Sequence, residues 1–343
     1  MKHNTRSNPM NTIQRRQLGL TLIELMVALV ISTVIAVAAI SALFVSRQGF
    51  NTVDAASRLR DDSRFAVEML QRFGVQSGFN DALDTTTRLD RDSTTGRPMV
   101  NVIPGVGGFN NAMISESDPQ NSKTDRTVAT QLGYGSDILI LRYQIAETYP
   151  GSNIPDNSMI DCFGNPNTSP RVNPGDKSAN IIFIGLEASG EPSLRCKTDA
   201  AATDSQPIIR GVENFQVLYG VDNVTANTET IGTPTRVITN YLRADQMTVA
   251  ADPLGEKTNA NWRRVRSLKI GMVIRGPLGS AQTNVAQTYY PLGRAAGSAG
   301  GTVGSAMSSA ADAGTIYAPP GDTRLRQVVT FTIHLRNELD PTL

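Results

Sequence analysis

From Leu25 to Val45 the chain reads LMVALVISTVIAVAAISALFV, 21 residues without a charge, a proline or a glycine. At a rise of about 1.5 Å per residue, about 20 such residues cross the roughly 30 Å hydrocarbon core of a bilayer. The run therefore reads as one membrane span, which must be helical because lipid offers its peptide groups no partners. Ahead of it, residues 1–19 carry Lys2, Arg6, Arg15 and Arg16 and no acid. The positive-inside bias then puts the N-terminus in the cytoplasm and everything after Arg47 outside. A cleaved secretory signal, cut among the small residues after Ala39, is the competing reading. The order of parts argues against it: the basic leader ends in Gly19, the apolar run begins at once, and one carboxylate, Glu24, stands five residues on. An acid within a spanning helix costs about 2.5–3.5 kcal/mol on insertion scales and marks a functional position.

Beyond the span the pattern turns amphipathic. Ala55, Leu59, Ala66, Met69, Leu70 and Phe73 recur at helical spacing among Arg58, Arg60, Asp61, Asp62, Arg64 and Glu68. One helix from Leu20 to Phe73, stopped by Gly74 and Gly78, would be about 80 Å long. Two helices hinged at Gly49 are the alternative. From about residue 79 the composition shifts to Gly, Asn, Asp, Thr and Pro around five strand-like runs: Asp137–Ile145, Asn180–Leu186, Val212–Val221, Leu268–Ile274 and Val328–Arg336. The last alternates Val329, Phe331, Ile333 and Leu335 against Thr330, Thr332, His334 and Arg336. The expected class is α+β, a long transmembrane and amphipathic helix packed on an antiparallel β head. Its expected divisions are a leader 1–19, a membrane half 20–46, an amphipathic half 47–74 and a head 75–343. Residues 295–314, with 16 Gly, Ala or Ser in 20 positions, read as a flexible loop within the head.

The string RRQLGLTLIELMVALVI, Arg15 to Ile31, resembles the class III signal of type IV prepilins. The resemblance implies cleavage after Gly19 by an inner-membrane prepilin peptidase and N-methylation of Leu20, a position where Phe is more usual. It also implies that Glu24 docks the subunit: its carboxylate can neutralise a neighbour's new amine in low dielectric and so set axial register. The alternative for Glu24 is a side chain that snorkels to water. Further along, IIRGVENFQVLYGVD (Ile208 to Asp222), WRRVRSLKIGMVIRG (Trp262 to Gly276) and LRQVVTFTIHLRNEL (Leu325 to Leu339) are similar to the recurring C-terminal blocks of the PilW family of minor pilins. Such a protein implies roles in pilus assembly, namely priming of the fibre in support of twitching motility, adhesion or DNA uptake. Its implied partners are other minor pilins, the major pilin, inner-membrane lipid and a surface adhesin. A type II secretion pseudopilin of the J type, and a tip-displayed adhesin or DNA-binding module, are the competing readings.

Catalysis finds little material. The chain has two histidines, His3 and His334, no phosphate loop and no nucleophile elbow, so no enzyme, metal or cofactor is expected. Asp81, Asp84, Asp90 and Asp92 lack the spacing of a calcium loop and read as solvated. Trp262 with Arg263, Arg264 and Arg266 is the one aromatic-basic cluster, read as a charged edge strand rather than a nucleic-acid surface. The chain has 32 basic against 31 acidic side chains, and loss of the leader turns the balance acidic, which makes nucleic acid an unfavourable partner. Cys162 and Cys196 fall in the part expected outside the cytoplasm, where an intramolecular disulfide is favoured over free thiols or an intersubunit bond.

Overall fold

The computed structural model describes residues 21–80, 103–166, 177–198, 205–294 and 311–337, apart from the single positions 130, 150, 153 and 231. Two compact units divide the chain, Met1–Phe50 and Asn51–Leu343. A single helix, α1 (Leu22–Gln76), contributes to both. Gly49 does not interrupt it: a Cβ there would meet nothing within 4 Å. The chain therefore has one helix here rather than two.

In the first unit every described residue up to Arg47 is exposed. The hydroxyls inside the span return to their own helix: Ser32 Oγ donates to the Ala28 carbonyl at 2.6 Å, Thr33 Oγ1 to Val30 at 2.8 Å and Ser41 Oγ to Val37 at 2.8 Å. A polar atom satisfied in this way can enter hydrocarbon without an unpaired donor.

The second unit holds the rest of α1 and eleven described strands. These are β1 (Val106–Phe109), β2 (Ala112–Ile114), β3 (Lys123–Asp125), β4 (Ile138–Tyr143), β5 (Ser178–Leu186), β6 (Pro192–Thr198), β7 (Gln206–Arg210), β8 (Val212–Val221), β9 (Asn240–Leu242), β10 (Val265–Arg275) and β11 (Arg326–His334), with a short helix α2 (Glu256–Trp262) before β10. They form a five-stranded sheet ordered β1-β4-β5-β6-β7, a four-stranded sheet ordered β11-β10-β8-β9 and the small hairpin β2-β3. All pairings are antiparallel. The expected antiparallel β head is thus divided into two larger sheets and a hairpin. The short strands β1, β2, β3, β7 and β9, and the mixed polar β6, carry too little hydrophobic pattern to be seen in the sequence.

One core joins these layers. Leu59, Ala66, Leu70 and Phe73 of α1 lie in the same buried cluster as Leu139, Leu141, Ile182 and Leu194 of the first sheet and Phe215, Val217, Tyr219, Leu268, Ile270 and Met272 of the second. The first sheet is also covered behind, where Ile138, Ile140, Ile181 and Phe183 pack on Ala112 of the hairpin. That double burial is why DILILRY shows no alternation. Gly74, expected to end α1, is instead a packing residue: a Cβ there would sit 2.6 Å from Ile333 Cγ2. Gly78, at φ 75°, follows the actual end at Gln76, and its N–H donates to the Arg142 carbonyl at 2.8 Å.

Trp262 overturns the expectation of a charged edge. Its ring is buried and meets Tyr219 edge-on, with centroids 4.7 Å apart and planes at 86°. The strand that follows it, β10, lies inside its sheet, and Arg266 is buried 3.7 Å from Asp222. An indole in the core offers no face for a base to stack on.

Candidate assembly and docking site

The N-terminal signal begins at the edge of the described residues. Gly19 and Leu20, with the rest of the leader, lie outside them, as do Asp81, Asp84, Asp90, Asp92 and residues 295–310. Thr21 and Glu24 are described, and they close on one another. The Thr21 N–H donates to Glu24 Oε2 at 2.9 Å, Thr21 Oγ1 donates to the same oxygen at 3.0 Å, and the Glu24 N–H reaches back to Thr21 Oγ1 at 3.4 Å. This is a capping box, in which a Thr and an acid three residues on satisfy donors that the first helical turn leaves open. The spacing Thr-x-x-Glu carries this role in the sequence itself, beside the docking role expected of the acid. Within one subunit Glu24 therefore has a local task. Its other oxygen, Oε1, makes none of these contacts with the described residues.

Cys162 and Cys196 are joined, with Cα atoms 6.4 Å apart across a sequence separation of 34. Cys196 is on β6 in the main core, and the Cys162 N–H donates to Asn180 Oδ1 of β5 at 3.1 Å. The bond fastens the 160–166 turn to the five-stranded sheet. His334 is exposed on β11, away from any described acid within ion-pair distance.

Two sets of buried charges hold the head. Glu213 on β8 receives Arg275 Nη1 at 2.9 Å and Arg326 Nε at 2.6 Å, while Arg275 also forks onto Glu191 and Arg326 onto Asp322. Hydrogen bonds to Arg275 hold the Glu191 carboxyl below its ordinary value, and Arg326 does the same for Asp322. These guanidinium forks clamp β8, β10 and β11 together at one end of the sheet. The second set surrounds Asp137, whose Oδ1 accepts from the Asn111 N–H at 3.0 Å and whose Oδ2 accepts from the Val217 N–H at 2.8 Å. A buried side chain thus completes the hydrogen bonding of β8 where β9 stops short. Burial drives the Asp137 carboxyl well above its ordinary value, with Asp312 and Asp245 adding repulsion. Asp312 itself is pushed up to about 6 by burial, against the opposing pull of Arg243 at 3.7 Å and Asn110 at 3.3 Å. Among the described residues no group of three or more His, Cys, Asp or Glu side chains is arranged to hold a metal ion.

An exposed apolar helix that opens in a capped acid and continues into the core of an antiparallel β head is the plan of a type IV pilin-like protein. The prokaryotic N-terminal methylation motif matches residues 14–40. The family model described as type IV pilus-assembly protein W matches residues 181–337, from β5 to the end of β11. The chain is a PilW-type minor pilin with a class III signal. It is a structural subunit of pilus assembly, not an enzyme, and its motif is a substrate for prepilin peptidase. Among solved structures, a type IV-like pilin from Thermus thermophilus aligns with 82% of this chain and 100% of its own, at 11% identity and a TM-score of 0.36. No curated protein matches at a significant level.

Proposed function

We propose that this minor pilin primes pilus polymerisation from the inner membrane and enters the fibre in small amounts. Cleavage after Gly19 would leave a methylated amine on Leu20, directly before the Thr21–Glu24 box, with the head in the periplasm. The observation that carries the reading is the geometry of Glu24. One carboxylate oxygen caps its own helix at 2.9 and 3.0 Å, which leaves the other without a hydrogen bond to the described residues. In low dielectric an amine from a neighbouring subunit is the natural complement. The fully exposed apolar half of α1 supports the same reading, because side chains such as Leu29, Val34 and Phe44 have only lipid or other spines to pack against.

The test is to shear filaments from cells and search them by mass spectrometry for a peptide beginning at N-methylated Leu20. Its presence in sheared pili is the expected result. An uncut chain overturns the reading, and a processed chain confined to the inner membrane reduces it to priming without incorporation.

A further inference from the structure

β11 is the outermost strand of the four-stranded sheet, and the guanidinium of its one arginine, Arg326, is committed to Glu213 and Asp322. Its nine residues, RQVVTFTIH, include no proline, glycine or lysine. Its register with β10 runs unbroken from Arg275↔Arg326 to Ser267↔His334. The other described edges are blunted: β2, β3 and β9 have three residues each, β1 has four with two glycines, and β7 carries Pro207 beside a bulge.

The direction of the β11 peptide groups follows from the bonds at its ends. The Leu325 carbonyl accepts from the Gly276 N–H at 2.7 Å, and the Leu335 N–H donates to the Arg266 carbonyl at 2.9 Å. In an antiparallel ladder alternate residues bond the same neighbour, so the odd-numbered residues of β11 face β10. The peptide groups of Arg326, Val328, Thr330, Thr332 and His334 then point outward, and among the described residues no strand pairs with them.

Beside this edge α1 leaves an open groove of about 360 Å³, lined by Arg60, Ser63, Arg64, Val67, Glu68 and Gln71 of the helix and Gln327 and Val329 of the strand. Arg60 and Arg64 make no ion pair with a described residue, and Glu68 is the one acid among the residues that line the groove. A strand added to β11 would turn alternate side chains into this groove. The complement is extended and acidic. A second copy fits poorly, because it would bring its own Arg60, Arg64 and Arg336 to the same edge.

We propose that the free edge of β11 accepts, by strand addition, an extended acidic segment of a different pilin subunit, with its side chains docking beneath Arg60 and Arg64. This rests on the reading of the chain as an assembly subunit. To test it, the photoreactive residue p-benzoylphenylalanine is placed at position 328, or separately at position 30 in the span, of the full-length protein in its own cells. Crosslinked peptides are then sequenced. Thr332→Pro removes an outward N–H that β10 does not use, a substitution edge strands tolerate. Its folding is checked by retention of the Cys162–Cys196 bond, and the double variant Arg60→Glu/Arg64→Glu probes the groove without touching the strand. The expected result is a position-328 crosslink to an acidic segment of another pilin, lowered about tenfold by either variant while the position-30 crosslink is unchanged. A crosslink to a second copy or to a protein that is not a pilin, or a yield that neither variant lowers, overturns the proposal. Silence at position 328 alone overturns it and leaves the assembly reading standing, whereas silence at both positions removes the assembly reading as well.

Discussion

Asp312 shows how one side chain couples this head to pH. Its carboxyl, pushed up to about 6, holds a proton in the folded state at pH values where the unfolded chain has released it. Where the native state binds more protons, stability falls as pH rises. The loss accrues from the ordinary carboxylate value up to about 6 and is then complete, so the ionised Asp312 is a net cost at neutral pH. Asp312→Asn is expected to stabilise the full-length protein in detergent by about 1–3 kcal/mol at pH 7.5 and to flatten the pH dependence of urea midpoints between pH 4 and 7. Asp137, shifted in the same direction, leaves a residual slope. A variant as pH-dependent as the parent would show that Asp312 is not strained by burial. None of this was visible in the sequence. Asp312 lies near the end of the Gly/Ala/Ser-rich run 295–314, which was expected to be a flexible loop, yet it is buried, and only the fold brings it to Arg243 and Asn110, far away in the chain. Glu24 is the opposite case, since a short motif announces both its acid and the Thr that caps it.

The second half of α1 and strand β11 meet at Gly74, where the helix approaches the sheet too closely for any side chain. Gly74→Ala would place a methyl 2.6 Å from Ile333 Cγ2, inside the core. The gain in helix propensity, about 1 kcal/mol, is expected to lose to an overpacking cost of about 1–3 kcal/mol. Urea unfolding of the detergent-solubilised protein should report a net loss of stability, and a net gain would mean that α1 can slide away from β11. The disulfide acts on another element, the 160–166 turn. Cys196→Ser is expected to lower stability by about 3–4 kcal/mol, the chain-entropy value for a loop of about 35 residues, with the loss measured by the same melts. The pairing could be anticipated because two cysteines expected outside the cytoplasm have one intramolecular choice. The attachment of Cys162 to Asn180 could not, because it depends on which strands lie side by side.

As a whole, the chain is a pilus-assembly subunit of two compact units, the first of which exposes an apolar helix. Glu24→Ala is expected to lower its recovery in sheared filaments about tenfold or more while its level in the inner membrane stays within about twofold, as read by quantitative mass spectrometry. Unchanged incorporation would restrict Glu24 to capping its own helix. The membrane half, the amphipathic half and five of the longer strands were legible because each is governed by a period or a run length that neighbouring residues set by themselves: an uncharged stretch for lipid, 3.6 for a helix on a core, 2 for a half-covered strand. The prepilin signal was legible for the same reason, being a contiguous string read by an enzyme. Tertiary structure alone decided the division of the head into separate sheets, the burial of Trp262, the role of Gly74 as a contact rather than a stop, and the placing of β10 inside its sheet and β11 at the open edge. Those outcomes turn on which distant segments pair, and pairing is chosen by the summed burial and hydrogen bonding of the whole head, which no local pattern records.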